Sequence, residues 1–178
     1  MLPTIQTSRF ILRPFTPSDA EGIFQMDSDP EVHRFLGNRP IESKAQAQAI
    51  VDSVLHQYTE NGIGRLVIED KHTGEFIGWS GLKLEKNLRA FEYYDLGYRL
   101  RREFWGKGIA TEVAIASLKM GFGELRLKEI CAAAHVDNLT SSHILTKLGL
   151  ILREQFIHDG DLCNWYGLQK SEWDNLGF

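Results

Sequence analysis

The feature that most constrains this chain is the segment Leu96-Gly97-Tyr98-Arg99-Leu100-Arg101-Arg102-Glu103-Phe104-Trp105-Gly106-Lys107-Gly108-Ile109-Ala110-Thr111-Glu112. An apolar, β-rich run ends in a Gly-x-Gly turn, and the turn opens a helix. A strand that leads through glycines into a helix N-terminus is a built anion site. The first turn of a helix carries unpaired N–H groups and the positive end of the dipole. Glycines there let a ligand come close to the backbone. Three motifs compete for the segment. The dinucleotide fingerprint GxGxxG is met at Gly106 and Gly108 but has Thr111 at its third glycine, and it follows several strands rather than the first. A P-loop needs GxxxxGK[ST], and neither the upstream glycine nor the Ser/Thr is present. The third is the coenzyme A pyrophosphate loop, Q/R-x-x-G-x-G/A. Gly108 and Ala110 fill its last two fixed positions, with Trp105 where Gln or Arg usually stands.

Local charge agrees with a phosphate role. Arg99, Arg101, Arg102 and Lys107 against Glu103 form a +3 island in a chain whose formal net charge is −4. The acidic total argues against a nucleic-acid partner, since such binders are usually strongly basic. No apolar run reaches the ~18–20 residues of a membrane span, and Met1-Leu2-Pro3-Thr4 followed by polar residues and Arg9 carries no secretory signal. Cys131 and Cys163 show no CxxC pairing, which fits a reducing cytoplasm. None of the six histidines has metal-ligand spacing, so no metal is expected. Cys131 reads as core. Cys163 as an acyl-carrying nucleophile lacks an evident base.

The rest of the chain alternates strand and helix signals without repeat, linker or low-complexity tract. Phe10–Arg13 reads as a strand stopped by Pro14. Thr16-Pro17-Ser18-Asp19 and Ser28-Asp29-Pro30-Glu31 are helix starts. Ser43 opens a longer helix with Ala47, Ile50, Val51, Val54, Leu55 and Tyr58 on one face, ended by Asn61-Gly62. Strands follow at 65–69, 75–84 and 91–100, a helix over 104–122, a strand over 129–135, and a helix over 138–148 stopped at Gly149. A hairpin forms around Asp159-Gly160-Asp161. Ala110, Ala114, Ser117 and Gly121 form a small-residue stripe that lets the helix after the loop lie close on a sheet. At 178 residues the chain reads as one domain, 1–178, of α/β (α+β) class.

These segments together resemble the GNAT N-acetyltransferase superfamily, and within it the RimJ/RimL-type branch. The resemblance spans nearly the whole chain: Thr7-Ser8-Arg9-Phe10-Ile11-Leu12-Arg13-Pro14, Asp29-Pro30-Glu31-Val32, Ile77-Gly78-Trp79-Ser80-Gly81-Leu82, Asp95-Leu96-Gly97-Tyr98 with Trp105–Glu112, and Asn138-Leu139-Thr140-Ser141 with Lys147-Leu148-Gly149-Leu150. It implies a single GNAT-like domain with a mixed, mostly antiparallel sheet of about seven strands flanked by about four helices. It implies acetyl-CoA as donor and a primary amine as acceptor, either a protein N-terminus, ribosomal proteins included, or a small amine. The enzyme would act as monomer or homodimer by direct attack in a ternary complex. It places Gly106, Lys107, Gly108, Ile109, Ala110 and Thr111 on the pyrophosphate, with Arg102, Trp105 and Lys147 also on the cofactor. Leu100 and Arg101 would offer their backbone to the pantetheine arm, which Asn138 would also face.

Amine acetylation needs a proton acceptor, an oxyanion donor and a hydrogen bond for the departing thiolate. Asp95 and Glu92 are the candidate bases. Their spacing of three puts them on opposite faces of a regular strand, so at most one faces the acyl site, and a base acting through water also fits. Relatives in this superfamily often hold a Tyr in the second core helix for the thiolate. This helix contains none, and Ser141 is the expected substitute, with an N-terminal cap as its other reading. A non-catalytic acyl-CoA-binding regulatory module is the alternative to an enzyme; a nicotinamide-binding module is a third.

Overall fold

The computed structural model describes residues 2–178; Met1, part of the stretch read above for a secretory signal, lies outside them. Two short strands, β1 (Ile5–Gln6) and β2 (Phe10–Arg13), precede three helices, α1 (Ala20–Asp27), α2 (Pro30–His33) and α3 (Lys44–Asn61). Strands β3 (Leu66–Asp70), β4 (Phe76–Glu85) and β5 (Tyr93–Leu100) follow. Then come α4 (Ile109–Lys119), β6 (Glu129–His135), α5 (Leu139–Lys147), the hairpin β7 (Ile151–His158) and β8 (Asp161–Gln169), and α6 (Lys170–Asp174). Among the described residues these make one eight-stranded sheet in the order β1-β2-β3-β4-β5-β6-β8-β7. Every neighbouring pair is antiparallel except β5–β6, which the α4 crossover makes parallel. The class and mixed sheet are as expected. The extra strand is β1, whose Ile5 pairs with Leu12; the helix start at Asp29-Pro30 opens α2, only four residues long, and the extra helix is α6, five residues.

Local chemistry explains the helix ends. Ser43 and Gln46 exchange side-chain and backbone hydrogen bonds at the start of α3, and Gly62 closes it at φ +67. Asp29 caps α2 through the Glu31 N–H at 2.9 Å. The helix expected from Phe104 begins only at Ile109. Gly106 and Gly108 both sit at φ +72, the left-handed region, so the loop between Phe104 and Ile109 cannot be helical.

The two faces of the sheet are divided by strand alternation. Leu82, Leu96, Ala132 and Tyr166 face α4 and α5, with Leu118 and Leu145 packed on them. Val67, Phe76 and Trp79 face α1 and α3, against Ile23, Met26 and Val51. The small-residue stripe does what its pattern implies: a Cβ at Gly121 would stand 2.6 Å from both Ile130 and Leu82. That close approach seats the C-terminal end of the helix on β4 and β6.

One ion pair ties the entry of α1 to the sheet. Arg13 donates to both oxygens of Asp19 at 2.8 and 2.9 Å. Burial pushes Asp19 up, but Arg13 and the Thr16 N–H outweigh it and hold the carboxyl below its usual range. A group lowered on folding contributes stability above its unfolded pKa of about 4 and loses it as pH falls through the folded value. Asp19→Asn should therefore lower the melting temperature at pH 7 and narrow its gap to the wild type by pH 3. A gap that stays constant over that range would show that Asp19 contributes no linked protons.

Candidate active site

The parallel pair β5–β6 is joined at a single register position, Asp95↔Cys131. Beyond it the strands diverge, and their C-terminal halves enclose a wedge. Backbone alternation assigns the groups that line it. The Arg101 N–H donates to the Ile77 carbonyl at 2.9 Å, and Gly78 opposes Leu100. The odd-numbered residues of β5 thus bond to β4, and Leu96, Tyr98 and Leu100 turn their N–H and C=O toward β6. The Leu96 N–H serves the bridge to Cys131; past it, the groups of Tyr98 and Leu100 have no strand to meet. The Leu100 carbonyl is taken by the Trp105 indole N–H at 3.0 Å, which folds the loop back over the strand end.

The loop then forms a cradle of N–H groups. Gly108 is the N-cap of α4, with no side chain capping the helix. A Cβ at Gly106 would meet nothing within 4 Å, and one at Gly108 only Arg9 Nη2 at 3.9 Å, so the glycines serve backbone conformation and ligand approach rather than packing. Arg9 holds the loop in place: Nη1 donates to the Lys107 carbonyl at 3.0 Å and Nε to Glu112 Oε2 at 2.7 Å. With that carbonyl held by Arg9, the Gly108 N–H of the same trans peptide points the opposite way. The N–H groups of Ile109, Ala110 and Thr111 add the unpaired donors of a helix start. This donor set fits a pyrophosphate.

The charge island does not survive folding as a unit. Arg99 turns to the α1–α3 face and binds Asp27. Arg101 binds Glu75 and Glu103 and reaches the Phe76 carbonyl at 3.0 Å. Arg102 and Lys107 are exposed, and among the described residues no carboxylate lies within 4 Å of either. Lys147 is exposed at the end of α5.

On the α4–α5 face of the wedge, Asn138 caps α5 by accepting the Ser141 N–H at 3.1 Å. The Ser141 hydroxyl lies 3.2 Å from the Tyr98 hydroxyl, whose pKa burial pushes up to about 12. Helix α5 carries no tyrosine, and this one reaches Ser141 from strand β5. On the other face, Asp95 stands at the apex and its carboxylate is paired with Arg65. Burial raises its pKa above the usual range, while Arg65 and Lys83 oppose the rise. Glu92 lies one residue before β5 and is exposed, at the end of the strand away from the wedge. Both thiols are free, Cys131 buried and Cys163 half-buried. Among the described residues no three His, Cys, Asp or Glu side chains group as a metal ion would require, and no helix is long and apolar enough to cross a membrane. Sequence reasoning passed over Arg9, which contacts the loop, and Tyr98, which contacts Ser141.

Residues 9–151 match the family model described as Acetyltransferase (GNAT) domain. YoaA of Bacillus subtilis (strain 168), an uncharacterized N-acetyltransferase, is 35% identical over 166 residues, covering 90% of this chain and 92% of that protein. A GNAT-family acetyltransferase from Bacillus anthracis shares the fold at TM-score 0.80 and 20% identity, over 95% of this chain and 99% of that one. Spermidine N-acetyltransferase from Vibrio cholerae, solved with CoA and spermine, superposes at TM-score 0.76 and 20% identity, over 94% of this chain and 99% of its own.

Proposed function

The chain belongs to the GNAT acetyltransferases and is an acetyl-CoA-dependent N-acetyltransferase, and from that premise we propose that it acetylates a cationic primary amine by direct attack in a ternary complex. The observation that carries this reading is the single-bridge divergence of β5 and β6. The wedge has a cradle of N–H groups at its outer end, a hydroxyl pair on one face and a carboxylate at its apex. A protein N-terminus, as in the RimJ/RimL-type branch, and a small amine are the two acceptor classes. The spermine bound by the Vibrio cholerae enzyme and the net charge of −4 here support a cationic acceptor. The two free thiols support a cytoplasmic setting.

In this reading the N–H groups of Gly106 to Thr111 hold the pyrophosphate, with Arg102, Lys107 and Lys147 as the nearby unpaired cations. The backbone of Tyr98 and the Leu100 N–H pair with the pantetheine arm. Arg101, whose N–H is committed to Ile77, holds the loop instead. Acetyl-CoA supplies the activated acyl group. Asp95, rather than the distant Glu92, takes the amine proton as attack occurs. The Ser141 hydroxyl donates to the departing sulfur, with the Tyr98 hydroxyl behind it to renew the proton. Asn138 sets the start of α5 and so the position of Ser141.

The test is thiol release over a panel of spermidine, small monoamines and peptide N-termini, with products identified by mass spectrometry. Asp95→Asn should lower kcat by about 100-fold or more, the usual weight of a general base, while acetyl-CoA affinity stays within about twofold. An inert wild type, or an Asp95→Asn variant with wild-type turnover, would overturn the reading.

A further inference from the structure

The bridge Asp95↔Cys131 has a second side. Toward the N-terminal ends of β5 and β6 the register also stops, so the strands part there as they do at the wedge. Between them lies a cleft of about 400 Å³ that has Cys131 in its lining, a size within the range of small-molecule sites. Phe91, Glu92 and Tyr94 form its β5 wall, and Arg126, Leu127 and Lys128 its β6 wall. Phe91 is 51% exposed, and Glu92, Arg126 and Lys128 are exposed as well. The two walls carry opposite charge. Yet among the described residues no ion pair within 4 Å joins Glu92 to Arg126 or Lys128, or any of the three to another side chain. Glu129, also in the lining, accepts from the Gln169 amide at 2.7 Å. The cleft thus holds a free carboxylate on one side and two free cations on the other, with aromatic surface between them. Arg126 has a further distinction. It follows Leu125, the C-cap of the helical turn that prolongs α4, and sits at φ +53. Glycine is the usual residue at this position, because a side chain is strained there. The turn alone does not explain an arginine, and strain of this kind collects at ligand clamps.

We propose that this cleft binds a small zwitterion with an aromatic body, of the size of an aromatic amino acid. Its carboxylate is taken by Arg126 and Lys128, its ammonium by Glu92, and its ring lies against Phe91, Tyr94 and Leu127. The guanidinium fork of Arg126 meets a carboxylate as a bidentate pair, and Lys128 adds a point charge. The ring adds apolar area and packs edge-to-face or offset on the two aromatic side chains. A molecule with only one charge leaves one wall unpaired, whereas a zwitterion satisfies both. The site is separate from the wedge. It lies on the other side of the bridge, and its lining includes no residue of the pyrophosphate loop or of α5. It therefore stands whichever amine the protein acetylates.

The test follows backbone amide shifts of the full chain during titration with phenylalanine, 3-phenylpropionate and phenethylamine, without acetyl-CoA so that nothing can be transferred. The three probes share a ring and differ in charge. Phenylalanine should shift the amides of residues 91–94 and 126–129 saturably, with a Kd below about 1 mM. The two singly charged probes should bind at least about tenfold more weakly, since each forgoes one charged contact. Arg126→Gly should weaken phenylalanine binding by at least about tenfold and raise the melting temperature by about 2–4 °C, because glycine relieves the strain. A structural arginine would move only the second of these readouts. Absent or unsaturable shifts, shifts confined to residues 98–101 on the wedge side, or equal affinity for the three probes overturns the proposal. So does an Arg126→Gly variant that keeps the affinity, or one whose melting temperature does not rise.

Discussion

Gly108→Glu is expected to lower acetyl-CoA affinity by at least about 100-fold, close to 2.7 kcal/mol, while leaving a folded protein. The argument separates the backbone from the charge. At φ +72 a side chain is strained, and for a non-glycine residue in the left-handed region that strain is about 1–2 kcal/mol. The space itself is open, with Arg9 Nη2 at 3.9 Å as the nearest atom to a Cβ, so no core group must move. The carboxylate, however, would stand among the N–H groups at the start of α4, where the helix favours an anion. It would occupy the cradle as an intramolecular competitor and repel phosphate. Gly108→Ala separates the two effects, since it carries the strain without the charge. Calorimetric titration with acetyl-CoA should rank wild type above Gly108→Ala, and both far above Gly108→Glu. Equal affinities for the three proteins would move the pyrophosphate site away from this loop.

The loop, its glycines and the helix behind it are local features, and a strand–Gly-x-Gly–helix run states them in one stretch of sequence. What the sequence leaves out is which way each side chain of β5 turns. Counting Arg99, Arg101, Arg102 and Lys107 as one island treats neighbours in sequence as neighbours in space. Alternation along the strand sends Arg99 to Asp27, 72 residues away, and Arg101 to Glu75. The same alternation turns Tyr98 toward Ser141, 43 residues away. The tyrosine beside Ser141 therefore comes from a strand and not from helix α5, and the signal was its even spacing with the apolar Leu96 and Leu100. Arg9 and Glu112 sit 103 residues apart, and nothing in their spacing tells that they meet. The wedge itself depends on where pairing of β5 with β6 stops, a balance of packing on two faces that no single residue encodes.

Arg65→Ala carries the largest expected effect on stability. The Arg65 guanidinium lies across β4 and β5, donating to the Gly81 carbonyl and to the carbonyl and carboxylate of Asp95, with the Trp79 ring 5.2 Å away. It fits because Gly97 has no side chain there: a Cβ would stand 2.5 Å from Nη2. The paired side chains are 9% and 13% exposed, so removing the cation leaves a carboxylate that water reaches poorly. Breaking such a pair from one side costs about 3–5 kcal/mol, a large part of the ~5–15 kcal/mol a domain commands. The pH dependence gives a sharper signature. Without Arg65 the folded-state pKa of Asp95 lies further above its unfolded value of about 4. The folded variant then binds more protons than the unfolded chain, and its stability falls as pH rises through that range. Urea denaturation should find the gap between wild type and Arg65→Ala narrower at pH 5 than at pH 8, and Asp95→Asn placed on the variant should recover part of the loss. A gap below about 1 kcal/mol, the worth of an exposed ion pair, would mean that the apex of the wedge is held by the strands alone. The larger value would make Arg65 the clamp that holds β5 at the point where β6 leaves it, and so the residue that fixes where the wedge begins.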